Sequence, residues 1–198
     1  MLKEPINYLF SYLRSLWLFD NFDQDVTQKI RVAADHLQLA GHCFSIHISD
    51  ISLCSAMVEL ELAAYQGKKA WDYQDFLFDI KDNPNSFYLQ VCQADRLVAF
   101  IGCRRDASDV HISNFMTHPE YQGLGIGRYL LNQLARISQD LDRQQISLEV
   151  RQSNHQARDF YLNRGFKIIR LVSGYYRDNG EDAYYMVWDL VGSQDAEH

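Results

Sequence analysis

The chain lacks most of the features that would commit it to a specialised class. Its four cysteines, Cys43, Cys54, Cys92 and Cys103, form no C-x-x-C pair, and three of them sit in apolar stretches. Reduced Cys behaves there as a small hydrophobe, which points to a reducing compartment, the cytoplasm. No apolar run approaches the roughly 18 residues that a membrane span needs, and Met1-Leu2-Lys3-Glu4 lacks the basic start and apolar core of an export signal. A soluble protein without membrane contact is expected. Positive charge is in deficit, because Lys+Arg 19 against Asp+Glu 26 leaves a net charge of -7. Such a field repels phosphate backbones, so nucleic-acid partners are disfavoured and a basic substrate is permitted. No internal repeat or low-complexity tract is visible.

What is present is apolar enough to fold. Hydrophobic residues make up 47% and aromatics 13% of 198 residues, against 23% charged, a balance that supports one sizeable core with an appendage. Ile6, Leu9, Phe10, Leu13, Leu16 and Trp17 recur at helical spacing, and Val26, Ile30, Ala33 and Leu37 continue it up to Gly41. Residues 1–41 therefore read as a helical extension. It is expected to cap the sheet of the following domain or to mediate a homodimer. Residues 42–192 read as that domain and 193–198 as a flexible tail.

The period changes to two at Phe44, Ile46 and Ile48, returns to helical spacing over Leu53 to Ala64 and Trp71 to Ile80, then gives way to strands. Phe87 to Cys92, Leu97 to Cys103 and Val110 to Thr117 read as an antiparallel meander. A glycine-rich turn and a helix face at Leu130, Leu131, Leu134, Ile137 and Leu141 follow. Ile146, Leu148 and Val150 alternate with Ser147 and Glu149, a strand whose polar face carries a carboxylate. Asn154 can cap the next helix, and a closing hairpin turns at Asp178-Asn179-Gly180. This order predicts an α/β (α+β) fold with a mixed, mostly antiparallel sheet and helices on both faces. The sheet is expected to open between the strand ending at Thr117 and the strand carrying Glu149.

The glycine turn, Gln122-Gly123-Leu124-Gly125-Ile126-Gly127-Arg128, can bend tightly and present successive N–H groups at a helix N-terminus. It reads as a pyrophosphate cradle or as a plain tight turn. The dinucleotide pattern fails because Arg128 stands where glycine is required, and the G-K-[ST] of a Walker loop is absent.

The turn resembles the Q/R-x-x-G-x-G/A motif of the GNAT acetyltransferases, and four further segments match in order. Asn114-Phe115-Met116-Thr117-His118-Pro119 resembles the strand end of the RimI-type enzymes, which acetylate protein N-termini. Leu148-Glu149-Val150-Arg151-Gln152-Ser153-Asn154 resembles their L-E-V-R-x-S-N, and Phe160-Tyr161 through Gly165-Phe166 their L-Y-x-x-x-G-F. Tyr175-Tyr176 with Glu181-Asp182-Ala183 and Met186 is similar to their ending. Residues 1–41 have no counterpart, and Lys68-Lys69-Ala70-Trp71 departs from the family's F-P-W.

The resemblance implies the GNAT fold, acetyl-CoA as cosubstrate and no metal. Phe115, Met116, Thr117, the amides from Gln122 through Gly123, Leu124, Gly125, Ile126 and Gly127 to Arg128, and Asn154 would hold acetyl-CoA. The implied acceptor is a protein N-terminus, the N-terminal alanine of a small-subunit ribosomal protein. An α-amine, with a reference pKa near 7.7–8.0 against about 10.4 for Lys, asks little of a base. Glu149 would take its proton, directly or through water, and Tyr161 would protonate the leaving sulfur. Tyr175 and Tyr176 would line the acceptor groove. Each has a plainer reading: a solvated strand carboxylate, a core aromatic, a structural tyrosine pair. Two other functions stay open, acetyl transfer to a small-molecule amine or lysine, and a non-catalytic acyl-CoA-binding module. His36, His42, Cys43 and His47 cluster in sequence but lack a second ligand pair at zinc spacing.

Overall fold

In the computed structural model, which describes residues 25–65, 67 and 70–191, eight strands form one sheet in the order β1-β2-β3-β4-β5-β6-β8-β7. They are β1 (His36–Leu39), β2 (His42–Ile48), β3 (Ser86–Gln93), β4 (Arg96–Arg105), β5 (Asp109–Thr117), β6 (Gln145–Arg151), β7 (Lys167–Tyr176) and β8 (Glu181–Asp189). Every neighbouring pair is antiparallel except β5 with β6. The described helices are α1 (Cys54–Ala64), α2 (Tyr73–Asp82), α3 (Ile126–Asp140) and α4 (His155–Leu162). The mixed, mostly antiparallel sheet expected from the sequence is present.

Two apolar layers sandwich the sheet. On one face Ile126, Leu130, Leu131, Leu134 and Ile137 of α3, with Tyr161 of α4, pack against Leu89, Ile101, Val110, Ile146 and Leu148. On the other, Met57 and Leu60 of α1 and Phe76 of α2 pack against Tyr88, Phe100 and Met116. Strands β3 and β4 are therefore apolar on both faces and almost wholly buried, while β5 and β6 keep a half-polar face. The start of α2 is fixed by a capping box, in which Asp72 accepts from the N–H groups of Gln74 and Asp75 while Asp75 accepts from that of Asp72.

The segment from Val26 to Leu37 is not a helix. Val26–Lys29 form a single 3-10 turn, and His36–Leu39 form β1, hydrogen-bonded to β2 inside the sheet. The apolar spacing that suggested a helix is real, since Val26 and Ile30 are buried against the sheet, but a turn and a loop deliver them there. Gly41 stops nothing helical: with φ of 48° at Ala40 and 81° at Gly41, the two residues make the tight turn between β1 and β2. The helix read over residues 6–17 and the tail at 193–198 lie outside the described residues.

A β-bulge sets up the site. Gly102 pairs with Asn114 and Cys103 with Ile112, so Ser113 is an extra residue in β5. It reverses the alternation of the strand. Val110 and Ile112 point to the α3 side before the bulge; beyond it Phe115 takes that side and Met116 faces α1 and α2.

Gly102 itself has no room for a side chain, because an added Cβ would stand 2.4 Å from Cε1 of the fully buried Tyr88 ring. The Tyr88 hydroxyl donates to Asp79 at 2.6 Å, which pins the ring. Gly102→Ala should therefore destabilise the fold by about 1–3 kcal/mol through overpacking, read as a lowered urea midpoint. An unchanged midpoint would show that the ring yields freely.

Candidate active site

Parallel β5 and β6 pair only from Asp109↔Gln145 to Ile112↔Leu148, after which they separate. The opening lies where the sequence placed it. Beyond Ile112 the β6-facing backbone edge of β5 has no strand partner, so Phe115, Met116 and Thr117 border a cleft. Phe115 also packs beside Phe160 and Tyr161, with ring centroids 6.1 and 6.4 Å away. These aromatics fill the α3/α4 side of the gap.

The glycine turn stands at the mouth of this cleft. Gln122 donates from its side-chain amide to the carbonyl of Thr117 at 3.3 Å, which fastens the turn to the end of β5. Gly123 and Gly125 adopt φ of 79° and 89°, conformations costly for a residue with a Cβ. Gly125 is the N-cap of α3 and supplies no side-chain cap. The first intrahelical bond runs from Tyr129 to Gly125, so the N–H groups of Ile126, Gly127 and Arg128 are free of helical partners. Ile126 and Leu124 turn their side chains into the core, and the Arg128 guanidinium folds back to within 3.6 Å of where a Gly125 Cβ would stand. An uncapped helix start, an adjacent cation and a backbone stripped of side chains fit a pyrophosphate. Asn154 caps α4 through the N–H of Ala157 at 3.1 Å, and its amide nitrogen is left for a second partner.

Glu149 projects from the face of β6 opposite Ile146, Leu148 and Val150. Its Oε2 accepts from Tyr175 Oη at 3.2 Å and lies 3.2 Å from His111 Nε2. Burial raises the carboxyl, but hydrogen bonding and charge from His111, the Tyr175 hydroxyl and nearby Arg104 outweigh it and hold Glu149 below the usual carboxylate range. It is ionised at neutral pH and can accept a proton. Tyr161, packed against Phe115, Phe160 and Phe166, lies in the apolar layer on the other side of the sheet. Burial, with the Tyr65 and Tyr176 phenols adding to it, pushes its hydroxyl well up. Tyr161 thus keeps its proton across the physiological range.

Tyr175 and Tyr176 meet edge to face, 5.0 Å between centroids. Tyr175 is drawn to Glu149, while Tyr176 stacks under Arg151 at 3.8 Å. Arg151 in turn holds Asp178 at 3.0 Å and Glu181 at 3.1 Å, tying the β7–β8 loop to the end of β6. Three neighbours of this site were not singled out from the sequence. His111 meets Glu149 only through the parallel register of β5 and β6, which no local pattern encodes. Tyr65, which follows α1 directly, is brought by the tertiary fold near enough to add to the upward push on the Tyr161 and Tyr176 hydroxyls. Arg151 was visible inside L-E-V-R, but its stacking was not. Among the described residues no group of three or more His, Cys, Asp and Glu side chains is arranged to hold a metal ion, and none of the helices is long and apolar enough to cross a membrane.

Comparison with known proteins bears on family and fold. The model of the Acetyltransferase (GNAT) family matches residues 53–166. A Bacillus subtilis (strain 168) protein, provisionally assigned as a ribosomal protein bS18-alanine N-acetyltransferase, is 32% identical over 126 residues, 64% of this chain and 83% of its own. The N-alpha-acetyltransferase RimI of Mycobacterium tuberculosis is 31% identical over 132 residues, 65% of this chain and 81% of its own. In fold, the ribosomal-protein-S18-alanine N-acetyltransferase of Escherichia coli superposes with a TM-score of 0.66 at 24% identity, covering 78% of this chain and 99% of that one.

The hydrogen bond from Tyr175 has a measurable consequence. Glu149 titrates below its unfolded value, so its contribution to stability is complete above the unfolded pKa and is lost as pH falls through the folded one. Tyr175→Phe removes one donor; the Glu149 midpoint in a ¹³C carboxyl NMR titration should rise and the acid-side contribution should shrink. An unmoved midpoint would leave His111 as the group that sets it.

Proposed function

The chain belongs to the Acetyltransferase (GNAT) family, and from that premise we propose that it uses acetyl-CoA to acetylate the α-amine of a protein N-terminus, the N-terminal alanine of a small-subunit ribosomal protein. The observation that carries this reading is the ionised Glu149, steadied by Tyr175 and His111 where β5 leaves β6. The names borne by the Bacillus subtilis and Mycobacterium tuberculosis relatives support the acceptor class.

On this reading the N–H groups from Gly123 to Arg128 bind the pyrophosphate of acetyl-CoA, and the free backbone edge at Phe115, Met116 and Thr117 aligns its arm with help from Asn154. When bound, acetyl-CoA supplies a thioester carbonyl and a thiolate leaving group. Tyr175 and Tyr176 orient the incoming N-terminus. Glu149 takes the ammonium proton, directly or through water, which frees the nitrogen lone pair. Tyr161 holds a proton at its hydroxyl for the departing sulfur. An α-amine near pKa 7.7–8.0 is partly neutral at physiological pH, so a base as weak as Glu149 suffices, whereas a Lys amine near 10.4 would ask far more of it. The net charge of -7 suits a basic acceptor. Four cysteines without a disulfide among them suit the cytoplasm.

Two measurements bear on this. A peptide beginning with free alanine and carrying basic residues downstream should be acetylated faster than the same peptide blocked at its N-terminus with only lysines free. Preference for the blocked peptide, or for polyamines, would transfer the protein to another acetyltransferase class. Gly125→Ala places a methyl group in the mouth of the amide cradle at a left-handed position that costs about 1–2 kcal/mol. It should weaken acetyl-CoA at least tenfold in calorimetry, while the melting temperature drops by only about 2–8 °C. Unchanged affinity would remove acetyl-CoA from this turn.

A further inference from the structure

Beside Glu149 lies a polar chain to which the acetyl-transfer reading gives no proton to carry. His111 stands opposite Ser147 in the parallel pairing of β5 and β6. Its Nδ1 is 2.9 Å from Ser147 Oγ, and the Ser147 hydroxyl is hydrogen-bonded to the Asp109 carboxylate. On the other side of the ring, Nε2 is 3.2 Å from Glu149 Oε2. One imidazole therefore links two carboxylates, one in the cleft and one at the start of β5.

Counting protons fixes the direction of the chain. An ionised carboxylate only accepts, so the single Ser147 hydroxyl proton goes to Asp109, and Ser147 Oγ must accept from His111 Nδ1–H. The ring then has two states on one hydrogen-bond frame: as the imidazolium it donates from Nε2 to Glu149, the arrangement that lowers that carboxyl, and as the neutral Nδ1–H tautomer it turns the Nε2 lone pair to Glu149. In the neutral state the lone pair meets a donor when Glu149 acquires a proton. The other polar groups around the ring are Arg104 on β4, held by Asp106 at 2.6 and 2.8 Å, Tyr175 on β7, and Tyr185 on β8 with Arg170 stacked over it. The charged partners of this set are already paired or stacked among themselves.

We infer that His111 clears the proton that Glu149 takes from the acceptor amine. The O–H bond at Glu149 Oε2 breaks as the Nε2–H bond forms, which restores the carboxylate and leaves an imidazolium. Asp109, acting through Ser147, holds the Nδ1 tautomer before the transfer and stabilises the imidazolium after it. The ring then loses its extra proton to water. His111, Ser147 and Asp109 act through Glu149 and are positioning residues. Although burial raises the Glu149 carboxyl, the groups that lower it, His111 first among them, outweigh burial, which favours carboxylate beside imidazolium as the outcome of the transfer. The inference rests on the acetyl-transfer reading of Glu149.

His111→Ala should lower kcat at neutral pH by about 10- to 100-fold, below the roughly 10²–10⁴-fold range of a direct acid or base, with KM for acetyl-CoA unchanged and imidazole in the buffer restoring much of the rate. His111→Gln keeps a hydrogen-bond donor toward Glu149 but cannot carry a proton, so it should be as slow as the alanine variant. A fast glutamine variant, or an alanine variant that imidazole does not rescue, would reduce His111 to a structural prop and overturn the inference. Should both variants unfold, Asp109→Asn decides, with a slower rate expected and an unchanged one fatal. The tautomer gives a readout independent of turnover. ¹⁵N NMR of the wild-type neutral ring should show Nδ1–H, and a neutral ring that carries its proton on Nε2 would refute the relay. A wild type that acetylates no α-amine, with the Nδ1 tautomer intact, would instead refute the acetyl-transfer reading.

Discussion

The rest of the molecule depends on a parallel strand pair that stops after four residues. Had β5 and β6 stayed paired to their ends, the backbone of Phe115 to Thr117 would be consumed by ladder hydrogen bonds and Glu149 would face a closed sheet. Two local features keep the strands apart. The extra residue at Ser113 bends β5 and reverses its faces, and that reversal swings Phe115 toward Phe160 and Tyr161. The aromatic cluster then occupies space on the α3/α4 side that a continuous ladder would have closed. Helix α3 begins just beyond the end of β5, with its uncapped N-terminus at the mouth of the opening.

Much of this was legible in the sequence because it is written in short-range chemistry. Gly123 and Gly125 announce a turn that needs positive φ, Asn154 announces a cap, and the alternation around Glu149 announces the face it occupies. The aromatic hairpin ending at Tyr175 and Tyr176 was readable for the same reason. What failed was the stretch from Val26 to Leu37, where residues three and four apart are buried without a helix to bury them. Periodicity reports that side chains return to one surface, not which backbone brings them there. Ala40 gave no warning of its left-handed turn, because alanine rarely takes that conformation.

The candidate site divides along the same line. Glu149 and Tyr161 could be named from sequence, since each belongs to a contiguous motif. His111 could not, because its meeting with Glu149 requires the register Ile112↔Leu148 between strands more than thirty residues apart. The electrostatic character of the site is likewise a tertiary property. Glu149 is kept ionised by groups from β4, β5 and β7, and Tyr161 is kept protonated by burial among rings contributed by β5, α4 and the residue that precedes β7. One sheet thus keeps Tyr161 protonated and Glu149 ionised by giving one side chain an apolar layer and the other a polar cluster.

On the proposed function, the missing cap on α3 carries a consequence for binding of the acyl carrier. Amides that grip a pyrophosphate grip it equally before and after the acyl group has left, since the acyl group sits at the far end of the carrier. Affinity gained at that helix start therefore cannot favour the loaded carrier over the spent one, nor the transition state over either. It tightens residence alone. Discrimination between loaded and spent forms is left to the few atoms bordering the separated strands.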